Sequence, residues 1–319
     1  MTPRDNFINF LSGKDYEWTP NIMDLCQFRP AFIPDNVARA FVAQQEPWTA
    51  PFGGKDLLGV EWIFQSEAGG SMEAGTLFED IEDWKDHVVF PDLDAMDWEG
   101  CAKENAEYLN TDKLITSVIY TGFFERLISF VGFENAAMAL IDDEQQEYVH
   151  ELFQSLSDFY IDLIRRMRKH FGVEFVEIHD DWGTQISTMF SADTHSEMIL
   201  PYIQRITSAA REMGVYIEQH SCGKIDDLVP NIIASGVATW KGQPIVDNAG
   251  LVERFGESFH FGITLLLDDP MEDEQIKEAL EKVLSSYKGK RIWLAVFGMA
   301  LQPSQHELIA EYIHNYPIH

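Results

Sequence analysis

The chain has 319 residues, of which 45% are hydrophobic and 24% charged, a composition typical of a folded globular protein and not of a disordered one. Its formal net charge is −30 and its sequence pI is about 4.5. A surface this acidic repels phosphate backbones and anionic lipid, so we expect no nucleic-acid partner and no membrane partner.

The three cysteines, Cys26, Cys101 and Cys222, are sparse and irregularly spaced, which argues against a secreted disulfide framework. The N-terminal segment lacks the basic, apolar and small-residue regions of a signal peptide. No stretch approaches the ~20 apolar residues of a membrane span. We therefore expect a cytoplasmic protein.

The predicted elements begin with a short helix that Thr2 caps and Gly13 ends. Candidate strands follow at residues 16–25 and 58–67, in a segment that is otherwise irregular and rich in proline, glycine and aromatic residues. We interpret residues 1–110 as an elaborated N-terminal part that covers one end of the domain.

Residues 111–319 alternate regularly between helical and β-rich segments. The predicted strands are residues 114–120, 173–179, 215–220, 237–240, 258–263 and 291–297. The predicted helices are residues 143–170, 195–213, 225–234, 249–255, 272–287 and 304–314. This alternation is typical of βαβ units and a parallel sheet. An open, doubly wound sheet would also fit, but no glycine-rich dinucleotide fingerprint follows an early strand. We predict one α/β domain over residues 1–319, a (β/α)8 TIM barrel with an N-terminal elaboration.

Polar and aromatic residues collect where the predicted strands end, which is where catalytic groups of such barrels lie. The clusters begin at Tyr120 (YTG), His179 (HDDWGTQ), His220 (HSCG) and Trp240 (WKGQ). The candidate substrate-binding residues among these clusters are Tyr120, His179, Trp182, Gln185 and Trp240. The aromatic ones could line a pocket for a flat apolar substrate, or they could be ordinary packing.

His220 and Cys222 form the motif with the most specific chemistry. Imidazole nitrogen and thiolate sulfur are both good zinc ligands, and two positions apart at a strand end they can face one ion. Zinc there would hold a substrate thiol as its thiolate or act as a Lewis acid on a methylated heteroatom. A complete site needs at least three protein ligands, and no third is obvious. The alternative is a packed histidine beside an unrelated buried cysteine.

Asp180 and Asp181 are the candidate catalytic residues. Adjacent carboxylates at a barrel mouth can be an acid/base pair, a metal ligand with its supporting group, or a helix cap. Alternation along a strand sends the two side chains to different sides. Asp181 is expected on the pocket side because it shares a face with His179 and Glu177.

Two predicted strands carry an acid and an imidazole on the same face, Glu177 with His179 and Glu218 with His220. If these faces point inward, the charges must be paired or lose their charge. We expect these groups to be structurally paired inside the barrel.

Several of these segments resemble the uroporphyrinogen decarboxylase superfamily. The likeness is carried by HDDWGTQ from His179 and by LPYIQRITSAAREMGVYIEQHSCGKIDDLVPNIIASGV. FEDIEDWKDHVVFPDLD and TGFFERLISFVGFENA resemble segments of its methyltransferase-like branch, and the similarity runs from about Leu77 to the C-terminus. HDDWGTQ is more specific to the branch that resembles corrinoid-dependent O-demethylase methyltransferases. The resemblance implies a (β/α)8 barrel and methyl transfer between a methylated small molecule or thiol coenzyme and a corrinoid carrier protein.

In the methyltransferase relatives, a zinc is held by a His-x-Cys pair and by a cysteine near the last strand. His220 and Cys222 match the pair, but the last strand continues as AVFGMALQP, with Met299 near the expected place and no cysteine. The third ligand is therefore open, with Asp181 and then Glu218 as substitutes. This departure argues against thiol-coenzyme chemistry and favours aromatic methyl ethers as methyl donors.

The function predicted from the sequence is a zinc-dependent methyltransferase, with zinc on His220 and Cys222 and with corrinoid carried by a partner protein. One alternative is decarboxylation of a porphyrin-like or other carboxylated substrate. It is disfavoured because EWTPNIMDLCQFRPAF lacks the arginine pair of true uroporphyrinogen decarboxylases, and because 23 basic residues face 53 acidic ones. A non-catalytic corrinoid-binding or small-molecule-binding protein is the other alternative.

Overall fold

The computed structural model describes residues 1–67, 70–268, 270–298 and 301–318. Within these ranges the strands are β1 (Leu25–Gln27), β2 (Gly53–Lys55), β3 (Glu61–Gln65), β4 (Gly70–Glu73), β5 (Leu114–Ile119), β6 (Phe175–His179), β7 (Tyr216–His220), β8 (Thr239–Gly242), β9 (His260–Leu266) and β10 (Ile292–Phe297). The helices are α1 (Pro3–Leu11), α2 (Pro34–Ala38), α3 (Trp84–His87), α4 (Trp98–Glu104), α5 (Ala106–Leu109), α6 (Phe124–Val131), α7 (Phe133–Ala139), α8 (Gln146–Arg166), α9 (Ala192–Met198), α10 (Leu200–Glu212), α11 (Val229–Ala234), α12 (Asn248–Phe255), α13 (Asp273–Ser286) and α14 (Pro303–Asn315).

The main sheet of the described residues has seven parallel strands in the order β1-β5-β6-β7-β8-β9-β10. A parallel bridge between Asn21 and Leu294 links the segment before β1 to β10, so the sheet curls until its two edges touch. The predicted α/β fold with a parallel sheet is confirmed. Because the described ranges show seven strands in this sheet, the eight-stranded closed barrel stays a prediction.

The predicted strands of the C-terminal part each overlap an observed strand, while two other elements differ from expectation. The predicted helix at residues 195–213 is two helices, α9 and α10, because Pro201 occupies the first turn of α10 and favours a new helix start. The candidate strand at residues 16–25 is wrong. Asn21 and Asp24 form a capping box there that begins a short 3-10 turn.

The hydrophobic core lies between the main sheet and the helices that cover it. α8 shows why the chain folds this way, because Val149, Leu152, Phe153 and Leu156 recur at helical spacing and are all buried. A second, smaller cluster of buried residues packs Phe7 of α1 against Phe175, the first residue of β6. The inside of the curled sheet holds a cavity on which polar side chains converge.

Among the described helices, none combines the length and the apolar character that crossing a bilayer would require.

A buried ion pair ties the small antiparallel sheet β2-β3-β4 to the main body. Arg126 of α6 is 1% exposed and forms an ion pair with Asp56. A second nitrogen of its guanidinium lies 3.3 Å from Asp35 Oδ1. Asp56 also accepts hydrogen bonds from the indole of Trp62 at 2.9 Å and from the backbone N–H of Val60 at 3.0 Å. One carboxylate therefore holds together the loop before β3, β3 itself and α6.

Replacing Asp56 with alanine is expected to lower the free energy of unfolding by about 3–5 kcal/mol, because it leaves the Arg126 charge buried without its main partner. Chemical denaturation measures this loss. Lys277→Ala, which removes an exposed pair with Glu274, is the matched control and should change stability little. A loss below about 1 kcal/mol for Asp56→Ala would show that the pair does not anchor the small sheet.

Candidate functional site

A cavity of about 390 Å³ lies inside the curled main sheet, and residues from all seven of its strands line it. Alternation along each strand determines the lining. On β6, Glu177 and His179 face the cavity, whereas Val176 and Ile178 are buried on the other face. On β6 the polar residues Glu177 and His179 therefore face the cavity, and the apolar Val176 and Ile178 face the covering helices.

The register of the strands sorts the inward polar groups into two layers. β6 pairs with β7 so that Glu177 is opposite Glu218 and His179 is opposite His220. The layer nearer the strand ends is thus made of imidazoles, and the layer below it is made of carboxylates. Lys241 is opposite His220 in the register of β7 and β8, and its side chain reaches the two carboxylates of the lower layer. We call Glu177, Glu218 and Lys241 the cavity floor.

Beside the upper layer, four side chains form a compact cluster. Ligand atoms of His179, Asp181, His220 and Cys222 all lie within 4.8 Å of one another. His220 Nε2 is 3.8 Å from Cys222 Sγ, and His179 Nε2 is 3.3 Å from Asp181 Oδ1. The structure therefore brings His220 and Cys222 to one point, with Asp181 and His179 within reach as further ligands.

The donor set of this cluster fits a zinc ion. His220 Nδ1 lies 2.9 Å from the carbonyl oxygen of Lys241. A carbonyl can only accept, so Nδ1 carries the hydrogen and the Nε2 lone pair faces Cys222, the arrangement that metal-binding histidines show. Burial, and then the nearby His179 charge, lower the pKa of His220 to about 4, so its ring is neutral at pH 7.

The pKa values of the other three members of the cluster depend on contacts within it. Burial lowers the pKa of His179, but hydrogen bonds to Asp181, Cys222 and Glu177 outweigh it and raise the pKa well above its usual value. Burial favours the neutral form of Asp181, yet contacts with His179 and the backbone N–H of Cys222 hold its pKa below its usual range. Burial raises the pKa of the Cys222 thiol, an effect that a bound cation opposes.

Two glycines hold the loops of the cluster together. Gly223 adopts a φ of 86°, and a Cβ added there would lie 2.3 Å from the carbonyl carbon of Gly183. The loop after β6 and the loop after β7 therefore pack backbone against backbone. This contact sets Asp181 Oδ1 at 2.6 Å from the backbone nitrogen of Cys222, and it explains why glycine ends the HSCG motif.

The cavity floor is an ion-paired network. Lys241 Nζ lies 2.5 Å from Glu177 Oε2 and 3.1 Å from Glu218 Oε1. Burial disfavours the charge on Lys241, but the two carboxylates keep its pKa above the usual value. Burial raises the pKa of Glu218, and the neighbouring Glu177 adds to this effect. The expected pairing of the inward acids is thus present, although sequence reasoning assigned no role to Lys241. Glu218, the weaker substitute for a third metal ligand, lies in this layer and outside the cluster.

Asp180 is placed as a helix cap and not at the cavity. It is 1% exposed, and its carboxylate accepts backbone N–H groups from Phe123 (2.8 Å), Phe124 (3.1 Å) and Glu125 (2.8 Å) at the start of α6. The expectation of a catalytic Asp180 is corrected by this geometry, because its oxygens are occupied by the α6 backbone. Asp181, expected on the pocket side, lies beside His179 and is not among the residues that line the cavity.

Three of the candidate substrate-binding residues do not reach the cavity. Trp182 and Trp240 are fully buried, and Gln185 is exposed on a loop. Trp240 precedes Lys241 on β8, and because Lys241 points inward, Trp240 must point outward toward the helices. Trp182 packs against His195, with ring centroids 4.5 Å apart. These residues are corrected from pocket lining to packing and loop positions.

Tyr120 and His179 do line the cavity, together with two residues that sequence reasoning missed. Phe41 stacks on the Tyr120 ring at 4.3 Å, and the Arg29 guanidinium donates a hydrogen bond to the Tyr120 hydroxyl. Burial raises the pKa of Tyr120 to about 12. Arg29 and Phe41 come from the irregular N-terminal segment, which has no periodicity to reveal an inward face. Met299, noted for its place after the last strand, lies outside the described residues.

Asp180→Ala is expected to destabilise the fold by about 1–3 kcal/mol, because buried N–H groups at the start of α6 lose their acceptor. Thermal or chemical unfolding measures the change, and ligand binding to the folded variant should be retained. A variant that keeps full stability but loses function would instead assign Asp180 to the chemistry.

The family model that matches this chain is uroporphyrinogen decarboxylase (URO-D), over residues 112–306. A search of curated proteins gave no match.

Solved structures give distant likenesses. A glycosylated endo-β-1,4-xylanase from Gloeophyllum trabeum is 11% identical with a TM-score of 0.38, over 61% of this chain and 65%, just under two thirds, of that chain. A sugar phosphate isomerase/epimerase from Parabacteroides distasonis is 10% identical with a TM-score of 0.39, over 72% of this chain and 82% of that chain. An endo-β-1,4-mannanase from Thermotoga petrophila is 9% identical with a TM-score of 0.42, over 75% and 68%. Likenesses this weak carry no argument about function.

The matched segment runs from just before β5 to α14 and contains both layers of the cavity and all four residues of the cluster. It covers more than half of the chain. The chain therefore belongs to the uroporphyrinogen decarboxylase (URO-D) family.

Proposed function

We propose that this protein is a zinc-dependent methyltransferase that moves a methyl group from a small methylated substrate, a methoxyaromatic compound, to a corrinoid protein. The observation that carries the proposal is the cluster of His179, Asp181, His220 and Cys222 beside the cavity. Membership of the URO-D family is compatible with a methyltransferase of this kind. The bridge between Asn21 and Leu294 further supports a barrel of the (β/α)8 type.

The residues that would hold zinc are His220 through Nε2, Cys222 through Sγ, and Asp181 as the third ligand. Sulfur, nitrogen and carboxylate oxygen are the ligands that zinc takes in proteins. A zinc ion bound here supplies a Lewis acid for the oxygen or sulfur atom that carries the methyl group. The Lys241 carbonyl holds the His220 ring in the required tautomer, which is how supporting groups tune a metal site.

The cavity walls suit a small aromatic molecule. The cavity volume of about 390 Å³ lies in the range of small-molecule sites. The cavity walls include apolar side chains, those of Phe175, Leu266, Trp293 and Phe297. Leu266 and Phe297 are 62% and 40% exposed while they line the cavity, so they mark its mouth. The mouth is the side from which the corrinoid of a partner protein would have to approach.

His179 is the group best placed to handle the proton of the leaving oxygen. Its ring lines the cavity and is held between Glu177 Oε1, 3.6 Å from Nδ1, and Asp181 Oδ1, 3.3 Å from Nε2. Asp181 Oδ1 also accepts the backbone N–H of Cys222, so it orients the imidazole relative to the cluster. A proton held on this ring is available where charge develops as the methyl group departs.

Wild-type protein is expected to bind one zinc ion per chain, and Cys222→Ser is expected to bind it at least about tenfold more weakly, because serine supplies no thiolate. Equilibrium dialysis with a competing chelator measures the affinity. Cobalt substitution adds a readout, since a thiolate ligand gives a charge-transfer absorption that the variant should lack.

Cys26→Ser is the matched control, because Cys26 lies on β1, which β5 and β6 separate from β7, and its thiol contacts the carbonyl oxygen of Tyr108, away from the cluster. It should bind zinc as the wild type does. Equal zinc affinity in wild type and Cys222→Ser would reject the proposed centre.

A second candidate function is decarboxylation, which one observation favours. Arg29 lines the cavity, and among the described residues no carboxylate pairs with its guanidinium, whose Nε is also without a hydrogen-bond partner. An unpaired cation in a cavity can bind a substrate carboxylate. This reading needs no metal and no partner protein.

Activity assays should separate the two functions. Wild-type protein is expected to release a phenol from a methoxyaromatic compound only when a reduced corrinoid protein is present, and His220→Ala should lose this activity by at least about a hundredfold. Product analysis by chromatography measures it. Release of carbon dioxide from a carboxylated substrate without corrinoid protein, retained in His220→Ala and lost in Arg29→Met, would favour decarboxylation instead.

A further inference from the structure

The cavity floor contains a buried oxygen atom that has no partner. Glu218 is 1% exposed and lines the cavity. Its Oε1 pairs with Lys241, but among the described residues its Oε2 makes no hydrogen bond. A buried polar atom left unsatisfied destabilises the fold, and it does so more strongly when it is charged. Such an atom at the bottom of a cavity indicates that a ligand completes its hydrogen bonding.

Lys241 lies beside this oxygen and also has hydrogen-bonding capacity to spare. An ammonium group has three donors, and within the described chain its two close oxygen contacts are Glu177 Oε2 and Glu218 Oε1. Its Nζ also lies 5.5 Å from the centroid of the Trp293 ring, which forms a wall of the cavity. An unused acceptor, Glu218 Oε2, and an unused donor of Lys241 Nζ therefore lie next to each other, near the Trp293 ring.

A hydroxyl group matches this pair of unused atoms, because it donates one hydrogen bond and accepts others. An ammonium group would be repelled by Lys241 and could accept nothing. A carboxylate would face both Glu177 and Glu218.

We propose that the cavity floor, made of Glu177, Glu218 and Lys241, is a subsite for a hydroxyl group, and that the substrate is a phenol with its methoxy group at the opposite end. Glu218 and His220 are two positions apart on β7, so the floor and the imidazole layer are separated by ~7 Å along the strand. One benzene ring spans this gap. The methoxy end of this assignment rests on the proposed function, whereas the hydroxyl end rests on the floor alone.

The test compares ligands that differ only in the hydroxyl group. Isothermal titration calorimetry on the full chain, after dialysis against a chelator, gives the dissociation constants of para-methoxyphenol and para-methylanisole. The methyl group of the second ligand has the size of the hydroxyl but cannot form hydrogen bonds. We expect para-methoxyphenol to bind at least about tenfold more tightly. Affinities that agree within about twofold, or no binding of either ligand, would overturn the subsite.

Glu218→Gln then locates the effect. Glutamine keeps a carbonyl oxygen for Lys241 but places an amide NH₂, which cannot accept, where Oε2 stood. The preference for para-methoxyphenol should fall to about threefold or less. Thr264→Val is the matched control, because it removes a hydroxyl from the same cavity whose hydrogen bond goes to the carbonyl of Gly242, and it should keep the full preference.

The outcomes separate this subsite from the methyl-transfer proposal. Thermal unfolding shows whether Glu218→Gln folds. If it does not fold, the comparison of the two ligands on the wild-type protein still tests the hydroxyl subsite. A hydroxyl preference that disappears in Thr264→Val and persists in Glu218→Gln would overturn the assignment to the floor. A preserved preference in a protein that transfers no methyl group would reject the proposed reaction and leave the subsite standing.

Discussion

The parallel register between β6 and β7 determines where the charged groups of the cavity lie. It places His179 beside His220 and Glu177 beside Glu218. Because side chains alternate along a strand, a shift by one residue would turn these groups outward and bring Ile178 and Gln219 inward. The cluster and the cavity floor both depend on this one pairing, and the packing of Gly183 against Gly223 continues it into the loops.

Electrostatics inside the curled sheet differ from those of the surface. The chain has a net charge of −30, yet Lys241 and Arg29 line the cavity, together with His179, whose pKa is raised well above its usual value by its hydrogen-bonded neighbours. Lys241 pairs with both inward carboxylates, whose charged forms burial at this depth would otherwise disfavour strongly. The floor is thereby a stable polar surface under apolar walls. In such a site the apolar walls bury the ligand, and the few polar groups fix its orientation.

The sequence was most informative where structure is local and periodic. Alternation continued past the end of β6 predicted different sides for Asp180 and Asp181, and the two differ in their contacts, Asp180 with the start of α6 and Asp181 with His179. The same rule, applied to β8, would have placed Trp240 outward once Lys241 was recognised as the inward residue. The aromatic character of Trp240 was a weaker guide than its position.

The remaining parts of the site are set by contacts between distant segments. The partnership of Lys241 with Glu177 joins residues 64 positions apart, and a single sequence contains no signal for such a pairing. Arg29 and Phe41 reach the cavity from a segment without helical or strand periodicity. Whether Asp181 or His179 completes the cluster depends on ångström-scale distances that the motifs alone do not encode.

The proposed function depends on one zinc ion shared by the imidazole of His220 and the thiolate of Cys222 at the carboxyl end of β7. X-ray absorption at the zinc edge on the zinc-loaded chain tests it most directly. We expect a coordination sphere with one sulfur at about 2.3 Å and the remaining ligands nitrogen or oxygen at about 2.0–2.2 Å. A spectrum fitted by nitrogen and oxygen alone would contradict it, because it would place the metal away from Cys222.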